Sequence, residues 1–393
     1  MDRLEKIYEI CKKKVEIHLS LYGDEPYEFF GSCLNGDYYK ETEKKDFYDM
    51  YVWISSFVTG LAPLMYNTER NEKYLKWANK FSKHYRNKIF EHSMDTMHDI
   101  GFLYTPYSVA MYKLTGAADH RETAIKAADE LVKRFDINGR YIDAWNRMDN
   151  NERTGRAIID CMMNLSLLFW AWEETGHTFY CDIAKAHADT TKKYFIRTDY
   201  SVAHSFVFDR MTGNLTAEAN DCGYGNGSHW ARGTAWAVYG FAIAAKHLDN
   251  NEYFELSTKI AEKYISETGD AYIPVWDFRL PKELPAKYCG KGNSATIWDE
   301  ENSMNCIYNT DTSAAAIMTC GLMELNDIKF NKNFEEFADN SLYALCEEEY
   351  FDSDLSHAGI LKKQNGQMTY TIFGDYFFIE ALQRKVFKSI SCW

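Results

Sequence analysis

Connections along this chain alternate between short and long, joining twelve segments of helical periodicity: 2–21, 48–66, 70–91, 99–115, 119–136, 155–175, 177–194, 228–247, 251–268, 309–326, 331–348 and 373–387. The joints after the even-numbered segments are turn-like, around Asn67, Gly116, Gly176, Asn250 and Asp327. Those after the odd-numbered segments span 22–47, 137–154, 195–227, 269–308 and 349–372, with a shorter one at 92–98. Tight joints force antiparallel neighbours, so the long connections all emerge at one end of the assembly. One end is elaborated and the other plain, and chemistry is usually carried by elaborated loops on a rigid scaffold.

The segments are of two kinds. Odd ones are amphipathic: within 70–91, Tyr74, Trp77, Phe81 and Tyr85 recur every three to four residues between charges, the pattern of a surface helix. Even ones are apolar on most faces, as in CMMNLSLLFWAW (161–172), WAVYGFAIAA (236–245) and SAAAIMTCGLMEL (313–325), the pattern of a buried helix. Six buried helices, each followed by a solvent-facing partner, predict an all-α fold, an (α/α)6 barrel of six inner and six outer helices. An open α-solenoid is the alternative, but no consensus of fixed period repeats along the chain. No Pro/Gly/Ser-rich linker interrupts the alternation, so residues 1–393 are expected to form a single catalytic domain.

The 44 basic against 58 acidic residues give a net charge of −14, which disfavours nucleic acid and anionic membrane surfaces as partners. No run of 18 apolar residues occurs, and residues 1–21 have no continuous apolar stretch, so neither a membrane span nor a signal peptide is expected. The ten cysteines show neither a CxxC pair nor zinc-type spacing. Scattered thiols of this kind fit a reducing, cytoplasmic setting, and no motif points to a metal or an organic cofactor. Oligomeric state is not encoded in any of these features.

If the even helices are inner and parallel, their N-terminal ends open toward the long loops, and polar residues in unexpected places collect there. Asp99 opens the fourth segment, Asp160 lies one turn into the sixth, Arg232 just inside the eighth, Asp311 opens the tenth and Asp375 the twelfth. Trp145 and His204 come from the loops that feed the sixth and eighth. Asp99, Asp311 and Asp375 could each be an N-cap accepting orphan backbone N–H groups, which for Asp311 is the favoured reading. Asp160 sits among Ile158, Ile159, Met162 and Met163, where a carboxylate needs a partner or a raised pKa. A structural ion pair with Arg156 is its plainer explanation. Arg232 could equally pair with a carboxylate, and His204, Trp53 and Trp145 could be ordinary loop or packing residues. As a set, two carboxylates on adjacent inner helices, an arginine, a histidine and loop tryptophans resemble a carbohydrate site. Paired carboxyls handle glycosidic protons, and a cation within an acidic protein suits an anionic sugar. Of the two carboxyls, Asp160 is expected to be the raised acid and Asp99 its ionised neighbour.

The stretches HDIGFLYTPYSVAMYKLTG (98–116), RAIIDCMMNLSLLFWAWEETG (156–176), AHSFVFDRMTG (203–213), YGNGSHWARGTAWAVYGFA (224–242), DTSAAAIMTCGLMEL (311–325) and GDYFFIEAL (374–382) resemble those of unsaturated glucuronyl hydrolases, glycoside hydrolase family 88. The resemblance runs from about residue 48 to 387 with the motifs in order. It implies an (α/α)6 barrel that releases a 4,5-unsaturated uronic acid from the non-reducing end of lyase-generated, glycosaminoglycan-type oligosaccharides by hydrating the C4=C5 enol ether. It further implies that Asp160 protonates C4 and then assists water addition at C5, while Asp99 orients the sugar and stabilises developing positive charge. Trp145, His204, Arg232 and Trp236 would hold the unsaturated uronate, and Trp53 would stack on the neighbouring sugar.

Some positions depart from the family pattern. A His-Gln pair before GY is here Asp221-Cys222, so Cys222 stands where the substrate-contacting Gln would be. GFW after the first tryptophan is Ser56-Phe57-Val58, and 278–308 reads as an insertion. The loop before GDYF lacks an intact Ser/Lys pattern for sulfated sugars; Lys362 and Lys363 are either an anion contact or a solvated surface pair. The alternatives are an unsaturated rhamnogalacturonyl hydrolase, a sugar epimerase on the same scaffold, and a catalytically impaired carbohydrate-binding barrel, for which Cys222 is the best support.

Overall fold

The structure is a computed structural model and describes residues 2–21, 28–29, 32–33, 35–40, 53–145, 148, 154–279, 310–364 and 369–393. Every one of the twelve predicted segments contains helix. The inner set is Ser55–Thr59 with Leu61–Glu69, Ile100–Tyr104 continued through Ala110–Thr115, Cys161–Thr175, Ala231–Leu248, Thr312–Ile328 and Ile372–Phe387. Each packs on the next, and Ile372–Phe387 packs back on Ser55–Thr59 and Leu61–Glu69, which closes the ring and excludes an open solenoid. The outer set is Arg3–Leu21, Glu72–Asn79 with Ser82–Glu91, Ala118–Val132, Thr178–Phe195, Asn251–Thr268 and Lys332–Leu345. The chain is thus an (α/α)6 barrel. Ala231–Leu248 shows why: every residue from Ala231 to Ala245 is buried, so the helix needs protein on all sides.

Several boundaries differ from expectation, each for a local reason. The fourth segment is one continuous column, but Thr105–Val109 is π-helical, because Pro106 has no N–H to donate and its ring crowds the preceding turn. The third breaks at Lys80–Phe81 into two helices joined by a tighter turn. The fifth ends at Val132, and Phe135–Asp136 instead pairs with Tyr141–Ile142. The sixth starts at Cys161 rather than 155. Residues Arg156–Ile158 form a strand, with Arg156 opposite Val207 and Ile158 opposite Ser205, and Ser205–Phe208 pairs in turn with Leu215–Ala219. Asp160 is therefore not one turn inside the helix but at its N-cap position.

Two glycines set how closely inner helices meet near this end. A Cβ at Gly101 would lie 2.3 Å from Asn164 Cα, and one at Gly240 2.5 Å from Met162 Cβ, so neither position tolerates a side chain. Beneath the mouth, Phe102, Trp236, Phe377 and Trp393 form a connected aromatic core, with Trp393 stacked on Phe377 at 5.7 Å. No helix among the described residues is long and apolar enough to cross a membrane. The predicted insertion at 278–308 lies almost wholly outside the described residues.

Candidate active site

The three-stranded sheet sits at the elaborated end and delivers three groups to one place. Arg156–Ile158 runs directly into Asp160, and Ile159 N–H donates to His204 C=O at 3.0 Å, which fixes the two chains in register. On the other side, Ala219 pairs with Ser205, so the chain emerging from that strand places Asp221 and Cys222 beside His204. Asp221 N–H donates to His204 Nδ1 at 3.0 Å, so in the neutral ring the proton resides on Nε2. That nitrogen stands 4.0 Å from Asp160 Oδ2.

Asp160 makes no side-chain cap hydrogen bond, and its Oδ2 is buried without a hydrogen-bond partner. The Arg156 pairing expected as its plain explanation is not formed: Arg156 Nη1 binds Asp221 Oδ2 at 2.8 Å. Burial pushes the Asp160 carboxyl up to about 6, opposed by the Arg232 guanidinium and the Trp236 indole. Asp99 is no cap either, although it precedes the Ile100–Tyr104 helix. It is buried with His98 Nε2 3.4 Å from Oδ1. Burial and then the neighbouring Asp160 push it up to about 8, against Arg134 and Asn164. Burial thus favours the protonated form of both carboxyls, and the Asp160 charge adds to the effect at Asp99.

Arg232 binds Asp311 Oδ2 at 3.3 Å, and Asp311 also caps its own helix by accepting from Ser313 and Ala314 N–H. The guanidinium lies 4.5 Å from the Trp230 ring and 5.0 Å from Phe373. Trp53 packs on Phe373 at 4.8 Å, and Trp230 meets the His204 ring edge-on at 5.2 Å. A continuous row of ring and cation contacts therefore runs from Trp53 to His204. Trp145 joins it from the far side through Arg156, whose guanidinium lies 4.8 Å over its ring. Trp236 is fully buried against Phe102 and Phe377, and its indole lies near enough to Asp160 to favour the carboxylate without forming a hydrogen bond, so it offers no open ring face to a sugar.

Cys222 is half-buried, and burial together with the Asp160 charge pushes its thiol up to about 12, so it stays a neutral S–H. Ser56, Phe57 and Val58 are core residues. Asp375 is neither a cap, a role taken by Thr371, nor an open carboxylate. It accepts from Ile360 N–H, Leu361 N–H, Tyr38 O–H and Gln364 Nε2, locking the loop that precedes its helix. Lys362 Nζ donates to Glu348 C=O at 2.5 Å and Lys363 Nζ pairs with Glu349 Oε1 at 2.5 Å. Among the described residues no group of three His, Cys, Asp or Glu is arranged to hold a metal ion. A recess of about 370 Å³ opens at the plain end near Lys246, Glu324 and Arg384, but these charges neutralise one another, with Arg384–Glu324 at 3.0 Å and Lys246–Glu324 at 2.6 Å.

Sequence reasoning missed three residues that hold this arrangement. Asn164 is fully buried one turn beyond Asp160 and accepts from Phe102 N–H at 2.6 Å, tying the two carboxylate-bearing helices together. A polar residue in the run CMMNLSLL is its signal. His98 adjoins Asp99 in sequence and space. Arg134 donates to the C=O of Thr96, Asp143 and Trp145 at 2.7–2.8 Å, gathering the loops that carry Asp99 and Trp145. Nothing in the sequence separates it from the surface charges around it.

Residues 33–268 match the family model Glycosyl Hydrolase Family 88. The chain is 31% identical over 345 residues to an unsaturated glucuronyl hydrolase of Bacillus sp. (strain GL1), covering 84% of this chain and 85% of the relative. It is 30% identical over 371 residues to an unsaturated chondroitin disaccharide hydrolase of Streptococcus pneumoniae, covering 89% and 88%. The crystal structure of the Bacillus sp. GL1 unsaturated glucuronyl hydrolase superposes with a TM-score of 0.83 at 28% identity, over 98% of this chain and 97% of that one. The Streptococcus agalactiae unsaturated glucuronyl hydrolase does so with a TM-score of 0.84 at 27% identity, over 100% and 94%. By sequence and by fold, the chain belongs to glycoside hydrolase family 88.

Proposed function

We propose that this chain releases the 4,5-unsaturated uronic acid from the non-reducing end of lyase-generated, glycosaminoglycan-type oligosaccharides, with Asp160 as its acid and base. The C4=C5 bond of such a sugar is an enol ether. A proton from Asp160 adds at C4, and the ring oxygen shares the positive character that develops at C5. Water then adds at C5, giving its proton to the same carboxylate. The resulting hemiketal opens and the aglycone leaves, with no net consumption of protons. One group serves twice, so its pKa must lie near the working pH, and the about 6 of Asp160 meets that requirement. The observation that carries this reading is Asp160 Oδ2, buried and unpartnered, with His204 Nε2 4.0 Å away and the Arg232 cation acting on it.

Burial and the Asp160 charge both favour the protonated form of Asp99. An arriving uronate expels water and adds a like charge, and both effects raise Asp160 further toward its acid form. Arg232 balances that uronate, while Trp53 and Trp145 offer ring faces to the sugars; His204 donates from Nε2, and Cys222 provides a neutral contact. Support for the substrate class comes from relatives. The Streptococcus pneumoniae protein is an unsaturated chondroitin disaccharide hydrolase, and a Streptococcus agalactiae variant at 25% identity and a TM-score of 0.76 is complexed with dGlcA-GalNAc6S. We assign the whole chain to one catalytic unit. Cys11, Cys161, Cys181, Cys222, Cys320, Cys346 and Cys392 are free thiols, in keeping with a cytoplasmic enzyme.

The test is to offer unsaturated disaccharides, sulfated and unsulfated, and follow loss of the conjugated absorbance. Asp160→Asn should abolish turnover while binding survives. Full turnover by that variant removes Asp160 from the chemistry, and a preference for an unsaturated rhamnogalacturonyl disaccharide would replace the substrate class.

A further inference from the structure

We propose that the Arg156–Asp221 ion pair is a latch that positions His204 toward Asp160 and Trp145 toward the incoming sugar. The inference rests on the reading of the site given above and deepens it. Arg156 opens one outer strand of the sheet at the mouth, and Asp221 follows the other outer strand, with Ser205–Phe208 between them. The pair, Nη1 to Oδ2 at 2.8 Å, therefore reaches across the central strand. Its side chains are 23% and 13% exposed, so solvent screens the attraction only partly. The same guanidinium lies 4.8 Å over the Trp145 ring. Asp221 also touches Ser205 Oγ through Oδ2 at 3.5 Å and donates its backbone N–H to His204 Nδ1 at 3.0 Å. The segments carrying Trp145, Arg156 and Asp221 thus meet at one cation.

The latch governs which nitrogen of His204 carries the proton. The groups facing that ring are Asp160, with Oδ2 at 4.0 Å, Asp221, with Oδ2 at 3.9 Å, the cations Arg156 and Arg232, the neighbouring His98, and the edge-on Trp230 ring. Burial keeps the imidazole neutral, with Arg156 and then Arg232 adding to the effect. With Arg156 holding the Asp221 carboxylate, Nδ1 accepts from the backbone and Nε2–H is left to aim at Asp160. Without the cation, the released carboxylate 3.9 Å from Nδ1 becomes a better acceptor and draws the proton to that nitrogen. Nε2 then turns a lone pair toward Asp160, the wrong polarity for a carboxyl that must ionise and reprotonate in each cycle. Asp221 and Arg156 are positioning residues in this scheme, acting through His204 and Trp145.

Two variants separate the halves of the latch. Nitrogen NMR of histidine-labelled protein reads the tautomer, with the His204 signal assigned by its absence in His204→Gln. Arg156→Met should move His204 from Nε2–H to Nδ1–H and lower kcat by about tenfold. Asp221→Asn keeps the backbone donor, so the tautomer should stay; Trp145 loses its anchored cation and KM should rise about threefold to tenfold with kcat nearly unchanged. Arg156→Lys keeps a charge without a planar fork, so it should restore the tautomer but not KM. An unchanged tautomer in Arg156→Met, together with unchanged KM in both single variants, overturns the latch. A wild-type protein inert on unsaturated uronyl disaccharides overturns the functional reading instead, and a tautomer switch in that case still supports the latch.

Discussion

His204 Nε2 stands 4.0 Å from Asp160 Oδ2, with its proton directed there by the Asp221 N–H bound to Nδ1. The gap is too long for a hydrogen bond and short enough to close when a substrate expels water. A donor that strengthens as Asp160 ionises stabilises the carboxylate left after proton delivery. His204→Phe keeps the ring volume and removes the donor. It should lower kcat/KM by about tenfold to a hundredfold and move the pH limb assigned to Asp160 upward, since an ionised carboxylate loses a donor. A pH–rate profile on an unsaturated disaccharide checks both; an unmoved limb rules out the donor role.

Asp99→Asn should stabilise the fold more at pH 8 than at pH 4. The folded-state carboxyl is raised to about 8, well above its ordinary value of 3.8. Between those two values the folded chain binds more protons than the unfolded one, so stability falls as pH rises. An asparagine cannot ionise and escapes that loss. The gain should grow to a few kcal/mol by pH 8, an order-of-magnitude conversion of the shift. Denaturant melts at the two pH values measure it, and a gain independent of pH contradicts the raised carboxyl.

Removing the Asp160 charge should relax its neighbour. Asp160 is the second cause, after burial, of the high Asp99 pKa, so Asp160→Asn lowers that value below about 8 without returning it to 3.8. Carboxyl carbon NMR across pH 4–9 reads the shift directly. An Asp99 that titrates as before would mean the two groups are not electrostatically coupled.

Much of this architecture is legible in the amino-acid sequence. The barrel follows from helices that are apolar all round, such as Ala231–Leu248, alternating with amphipathic ones, a pattern contained within each segment. Asp311 is readable as a cap because NTDTSAAA carries the whole motif, and Asp160 stands out as a carboxyl in an apolar run. What depends on distant partners is hidden. Arg156–Ile158 looks helical until Ser205–Phe208, far along the chain, claims its backbone, and that pairing moves Asp160 from inside a helix to its N-cap. The raised carboxyls are hidden for the same reason: burial lifts Asp99 while Arg134 and Asn164 oppose it, and these groups meet only in three dimensions.

Arg134 offers the sharpest separation between holding the site and performing its chemistry. Its guanidinium donates to Thr96, Asp143 and Trp145 C=O, and its charge opposes the upward shift of Asp99. A lysine retains the charge but cannot span three carbonyls from one planar fork. Buried carbonyls left without donors cost about 1–3 kcal/mol each, so Arg134→Lys should lose several kcal/mol of stability yet stay folded at moderate temperature. KM should rise, because the Trp145 and Thr96 segments are no longer tied together, while the pH profile should keep its wild-type limbs. Arg134→Gln removes the charge as well and should push Asp99 above about 8, extending activity to higher pH at reduced rate. If the two variants share one pH profile, the Arg134 charge does not reach Asp99, and the residue serves only to gather the loops.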